Sequence, residues 1–144
     1  MITESFSEKD TYELASKLAG KAKKGDIIAL TGDLGVGKTA FTKGFAKGLG
    51  IDEPITSPTY TFVQIYESGR LPLYHFDVYR IGDISEMDEI GYEDYFYGDG
   101  ISVMEWADLV EPILPAGTVR IAISKDPSKG PDYRKITVDG DTWN

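Results

Sequence analysis

The chain has 144 residues, no cysteine and a formal net charge of −9, with 41% hydrophobic and 27% charged residues. Those values fit one globular domain over 1–144 that buries its own core, and they exclude disulfide staples and cysteine-ligated metal. The acidic balance disfavours a direct grip on nucleic-acid phosphates. No apolar run is long enough for a membrane span and Met1 to Asp10 shows no signal-peptide pattern, so a cytoplasmic protein without membrane contact is expected.

In chain order, Ser7 followed by Asp10 has the spacing of a capping box, with Asp in place of Glu or Gln. Leu14, Leu18 and Ala22, with Ala15 and Ala19, form a helical apolar face, ended by Lys23, Lys24 and Gly25. The basic cluster Lys17, Lys21, Lys23 and Lys24 reads as a solvated helix end. Asp26 to Thr31 is a short buried strand, Gly32 to Thr39 a glycine-rich turn, and Thr39 to Gly48 a helix with Phe41, Phe45 and Leu49 at spacing four. Thr59 to Tyr66 and Leu71 to Tyr79 read as strands. The short link through Glu67–Arg70 makes them an antiparallel hairpin, because a parallel return needs a crossover of about a dozen residues. Ile84 to Phe96 is helical, acidic and interrupted at Gly91. Ile101 to Glu105 is a strand ending in a carboxylate, and Trp106 to Leu114 a short helix closed by Pro115. Thr118 to Ser124 and Tyr133 to Val138 form a second hairpin, and 139–144 a flexible tail. The acidic surplus between Asp83 and Asp99 is either a docking face or a solubilising surface.

The strongest motif is Gly32-Asp33-Leu34-Gly35-Val36-Gly37-Lys38-Thr39, which matches G-x-x-x-x-G-K-[ST]. Glycines let such a loop turn tightly. Its successive amides, from Asp33 through Leu34, Gly35, Val36, Gly37, Lys38 and Thr39 to Ala40, then line an anion-binding concavity, to which the following helix adds its positive end. Lys38 reaches β- and γ-phosphates, and the Thr39 hydroxyl suits Mg²⁺. A strand before the motif and a helix after it supply the required context. A nucleoside triphosphate with magnesium, ATP in preference to GTP, is the expected ligand.

Such a site needs a carboxylate near the metal at the end of a neighbouring strand. Asp77 and Glu105 both follow apolar strands and are the two candidates, either of which could instead be a surface carboxylate or a cap. His75, the one histidine, shares a strand face with Asp77 and reads more readily as structural than as catalytic. Trp106 either packs over the site or fills core. Ser57-Pro58-Thr59-Tyr60 lies where nucleotide hydrolases carry a γ-phosphate-sensing segment, or is an ordinary proline turn.

Taken together and in this order, GDLGVGKT, SPTY, HFDVYR and VMEW resemble the TsaE (YjeE) family of bacterial tRNA threonylcarbamoyladenosine biosynthesis ATPases. The resemblance covers nearly the whole chain. It implies a P-loop α/β three-layer sandwich with a mixed parallel/antiparallel central sheet, and an ATPase that works with TsaB and TsaD on adenosine 37 of tRNA. The transfer chemistry then belongs to TsaD, and tRNA is met through the complex. It also implies phosphate and magnesium contacts from Lys38 and Thr39, a magnesium-associated catalytic glutamate at Glu105 and a second acidic position at Asp77. Trp106 would lie beside the site and Thr59 in a switch-like segment. Adenine would lie between the N-terminal segment and the last hairpin, with Ser7 and Arg134 as neighbours.

Three rivals stand beside this reading. A GTPase lacks its guanine motif, since Ser124-Lys125-Asp126 is one residue short and starts wrongly. A small-metabolite kinase lacks an arginine-rich lid, because Arg70, Arg80, Arg120 and Arg134 are scattered. A nucleotide-gated binding module with little turnover is the third.

Overall fold

The structure, a computed structural model, describes residues 1–58, 61–140 and 143. Among these, seven strands form one sheet: β1 (Ile2–Ser5), β2 (Ile27–Thr31), β3 (Val63–Tyr66), β4 (Leu73–Asp77), β5 (Ile101–Glu105), β6 (Val119–Lys125) and β7 (Arg134–Asp139), in the order β1-β7-β6-β2-β5-β4-β3. The central strands β6, β2, β5 and β4 run parallel. β3 closes one side antiparallel to β4, and β7 and β1 close the other as antiparallel neighbours of β6. Both expected hairpins are therefore present around a parallel centre, and the sheet is mixed as expected.

Burial on both faces explains why the central strands read as continuous apolar runs. In β2, Ile28 and Leu30 turn to one side, into a core shared with Leu18, Phe41, Phe45, Val103 and Ile121. Ile27 and Ala29 turn to the other, against Phe76, Met87, Phe96, Met104 and Val110. Helices α1 (Glu8–Ala19) and α2 (Lys38–Gly48) cover the first face. Helices α3 (Glu86–Ile90) and α4 (Tyr92–Phe96), with a 3₁₀ segment over Ala107–Ile113, cover the second. This is the three-layer arrangement. Helices α1 and α2 cross closely because α2 offers Gly44: a Cβ there would meet the Tyr12 carbonyl oxygen at 2.2 Å.

Four local features differ from the sequence reading. β1 is unforeseen because only one of its four residues is buried, and its pairing with β7 rather than any apolar alternation makes it a strand. The expected helix after Glu105 is a 3₁₀ segment: Pro112 lies inside it and Val110 departs to φ −127°, as a proline that removes a ladder donor and crowds the preceding turn requires. The ladder of β3 begins only at Val63, and the first strand residues expected, Thr59 and Tyr60, lie outside the described residues. Two positions of the tail expected to be flexible are ordered: Asp139, though exposed, ends β7 in register with Arg120, and Trp143 is fully buried and stacked on Phe45 at 6.1 Å between ring centroids. Among the described residues, no helix is long and apolar enough to cross a membrane.

Candidate functional site

The glycine-rich loop leaves the carboxyl end of β2 and enters α2 through Gly37, whose φ of 115° suits glycine and whose lack of a side chain leaves the helix without a side-chain cap. The Phe41 amide bonds back to the Gly37 carbonyl at 3.0 Å. The amides of Lys38, Thr39 and Ala40 precede that first helical bond, so they have no intrahelical acceptor. These residues line a cavity of about 350 Å³, together with Glu8, Leu34, Gly35, Gly37, Ser57, Asp77, Glu105 and Trp106. The uncapped, positive end of α2 thus faces open space rather than protein.

Lys38 is buried, and its ammonium donates to the Gly32 carbonyl and, at 2.9 Å, to the Asp33 carbonyl. It also lies 3.9 Å from the Trp106 ring centroid, within reach of a cation–π attraction. Burial pushes the Lys38 ammonium below its ordinary value, while Glu105, Asp33, Asp77 and Asp108 pull the other way. Trp106 has φ 62°, a left-handed backbone uncommon outside glycine, and its ring packs on Tyr79 at 4.7 Å. That turn carries the indole from the end of β5 back over Lys38.

The two carboxylates come from neighbouring strands in register, with Asp77 of β4 opposite Glu105 of β5. Asp77 accepts the Tyr79 amide at 3.0 Å. Burial raises its carboxyl above the usual range, the Tyr79 bond opposes this, and Glu105 adds a smaller upward push. Glu105 is 3% exposed, and its Oε2 lies 2.6 Å from His75 Nε2.

A second cavity of about 260 Å³ adjoins the first and shares Glu8, Gly35, Gly37 and Ala40 with it. Ser7, Thr11, Val36, Asp132 and Arg134 complete its lining. Ser7 is the N-cap of α1 and accepts the Asp10 amide at 3.1 Å. In return the Phe6 amide donates to Asp10 Oδ2 at 3.0 Å, so the capping reading holds with the reciprocal contact one residue earlier. Arg134 donates through Nε to the Val36 carbonyl at 2.7 Å and through Nη1 to the carbonyls of Pro131 and Tyr133, tying the loop to β7. A larger hollow of about 430 Å³ lies at the opposite edge, where β2 and β6 begin. Its charged residues are only Lys24, already paired with Asp99 at 2.9 Å, and Asp26, so it lacks the convergent charged groups of the first cavity.

The structure therefore brings together Ser7, Leu34 to Ala40, Asp77, Glu105, Trp106 and Arg134, all singled out from sequence, across two joined cavities, whereas Asp33 lines neither and meets the site through its carbonyl on Lys38. Thr59 falls outside the described residues. Glu8, Thr11 and Asp132 were missed. Each reads locally as a helix or turn residue, and only the folding of α1 and the last hairpin around the loop makes them lining. The pairing of His75 with Glu105 was missed for the same reason.

Fold and site define a three-layer α/β protein with an uncapped strand–loop–helix facing two carboxylates at the carboxyl edge of its parallel strands. The chain belongs to the TsaE family: the model for threonylcarbamoyl adenosine biosynthesis protein TsaE matches residues 5–136. It is 48% identical over 128 residues to the tRNA threonylcarbamoyladenosine biosynthesis protein TsaE of Bacillus subtilis, a match covering 89% of this chain and 78% of that protein. It is 43% identical over 119 residues to the protein of that name from Treponema pallidum, covering 83% and 87%. A crystal structure of Bacillus subtilis YdiB superposes with a TM-score of 0.80 at 41% identity, covering 97% of this chain and 84% of that one.

Proposed function

We propose that this chain binds ATP with Mg²⁺ and hydrolyses it to ADP and phosphate. We propose further that this turnover drives the TsaB–TsaD complex through repeated rounds of tRNA N6-threonylcarbamoyladenosine formation in the cytoplasm. The observation that carries the nucleotide reading is the convergence of an uncapped helix N-terminus, the Lys38 ammonium, Asp77 and Glu105 on one cavity.

The charges in that cavity argue for a cation with the nucleotide. Glu8, Asp77 and Glu105 outnumber Lys38, so a bare triphosphate meets a negative lining. Among the described residues no group of three His, Cys, Asp or Glu side chains could hold a metal. Magnesium suits such a site, because it is usually held by one or two carboxylates, waters and the substrate's own phosphates. Thr39, Asp77 and Glu105 would supply the protein oxygens. Held there, such an ion would supply positive charge against the triphosphate.

The chain's own groups divide the remaining work. The amides from Asp33 to Ala40 donate to the phosphate oxygens, and Lys38 exchanges its loop carbonyls for phosphate oxygens. Glu105 orients the attacking water, Asp77 supports the cation, and Trp106 covers the Lys38 side and limits bulk water. Thr59 belongs to the segment that senses the γ-phosphate. Ser7 and Arg134, in the adjoining cavity, flank the base. A net charge of −9 fits a protein that leaves tRNA binding to TsaB and TsaD.

Phosphate release from Mg·ATP, measured with and without TsaB–TsaD, tests the reading. We expect slow release alone and faster release with the partners. We expect Glu105→Gln to lower it by about 10²–10³-fold, the usual effect of removing one preorganised group, with the fold intact. Undiminished release in folded Glu105→Gln contradicts the assigned role.

A further inference from the structure

β4 and β5 are parallel neighbours, and their odd-numbered residues face the α1–α2 layer: Leu73 of β4 and Ile101 and Val103 of β5 lie in that core. His75 and Glu105 are therefore same-face neighbours, offset by two residues in register, since His75 pairs with Val103 and Glu105 with Asp77. Both are buried, at 1% and 3% exposure, and their side chains meet at 2.6 Å between Nε2 and Oε2. The His75 Nδ1 atom is buried and has no hydrogen-bond partner among the described residues.

A neutral imidazole carries one N–H. On Nδ1 it would be a buried donor with nothing to bond, an arrangement native proteins rarely keep, while the Nε2 lone pair would face a carboxylate lone pair. On Nε2 the same proton satisfies the donor and gives Glu105 a charge-assisted bond. Only an acceptor is then left unpaired, the milder vacancy. A glutamate has three side-chain torsions to fix. With Oε2 tied down inside the core, the rest of the carboxylate is presented to the cavity that Glu105 lines, and the ordering is complete before any ligand arrives. His75 does not itself line that cavity.

We infer that His75 is a positioning residue for hydrolysis, holding Glu105 through an Nε2–H bond so that its other carboxylate oxygen faces the cavity. The inference rests on the ATPase reading above, and its tests separate the two. His75 is the only histidine in the chain, so a ¹⁵N spectrum of the folded, nucleotide-free protein shows one imidazole. The expected tautomer has Nε2 protonated and Nδ1 bare. An Nδ1–H tautomer overturns the inference, whatever any variant does. In turnover assays, His75→Leu should lower kcat by about 10- to 100-fold, the range seen when a ligand's outer partner is lost. Mg·ATP affinity should fall by less than kcat does, since the loop, Lys38, Thr39 and Asp77 still hold the nucleotide and its cation. His75→Gln, whose amide N–H reaches the same oxygen, should restore most of the rate. Equal kcat in folded His75→Leu, or no difference between Leu and Gln at this position, overturns the inference alone. Absence of turnover in the unaltered protein overturns the ATPase reading and the inference with it. Should His75→Leu fail to fold, the tautomer and the His75→Gln rate decide.

Discussion

Asp77 and Lys38 are both held in states that an incoming ligand would relieve. Burial raises the Asp77 carboxyl and lowers the Lys38 ammonium from their ordinary values, so burial makes each charge costly and an opposite charge placed against it favours it. For Asp77 this has a stability consequence. The folded protein holds the proton more tightly than the unfolded chain, so the group favours folding below the unfolded value of 3.8 and loses that contribution as pH rises through the folded value. In protein free of nucleotide and divalent cation, Asp77→Asn should therefore melt at a higher temperature than the parent at pH 7, with the gap closing as pH falls towards 3.8. Asn keeps an oxygen for the Tyr79 amide, so the comparison isolates the charge. A lower melting temperature at pH 7 contradicts the account. Lys38 and Thr39 were legible in the sequence because their chemistry is local, set by spacing in one loop. Asp77 and Glu105 were legible as candidates because each ends an apolar strand. The His75–Glu105 contact was not, since it depends on β4 and β5 being neighbours, which no local pattern encodes.

Elements whose signal is local match the sequence reading most closely. β2, the glycine-rich loop and α2 follow from an apolar run, a glycine cluster and a four-residue aromatic spacing, and Gly91 closes α3 where the helix was expected to break. Elements whose identity comes from partners do not match: β1 is a strand only because β7 pairs with it. Gly44 shows the same contrast as a testable difference. Helix propensity alone expects Gly44→Ala to stabilise α2 by about 1 kcal/mol. The α1–α2 crossing leaves a Cβ only 2.2 Å from the Tyr12 carbonyl oxygen, and forcing extra volume into a tight contact costs about 1–3 kcal/mol. Urea unfolding should show Gly44→Ala destabilised. A stabilised variant would mean that the helices separate at little cost, and that the crossing does not hold α1, with Ser7 and Glu8, against the loop.

Across the whole molecule, a parallel centre supplies the site and antiparallel edges frame it. The carboxyl ends of β2, β4 and β5 deliver the loop, Asp77 and Glu105 to one edge, and β7 reaches over through Arg134 to hold the loop at Val36. That division builds two joined cavities from one sheet and the elements packed on it. The fold class was legible because hairpin links and a strand–loop–helix unit together demand a mixed sheet. The cavities were not, because they form between segments far apart in the chain. The central claim is that this edge grips a triphosphate with a divalent cation. Calorimetric titration with ATP tests it most directly, with and without Mg²⁺, on the unaltered protein and on Lys38→Ala. The account expects saturable binding that requires Mg²⁺ and weakens by about 10- to 100-fold in Lys38→Ala, the worth of a charged hydrogen bond. No heat of binding in the unaltered protein, or equal affinity in folded Lys38→Ala, would contradict it.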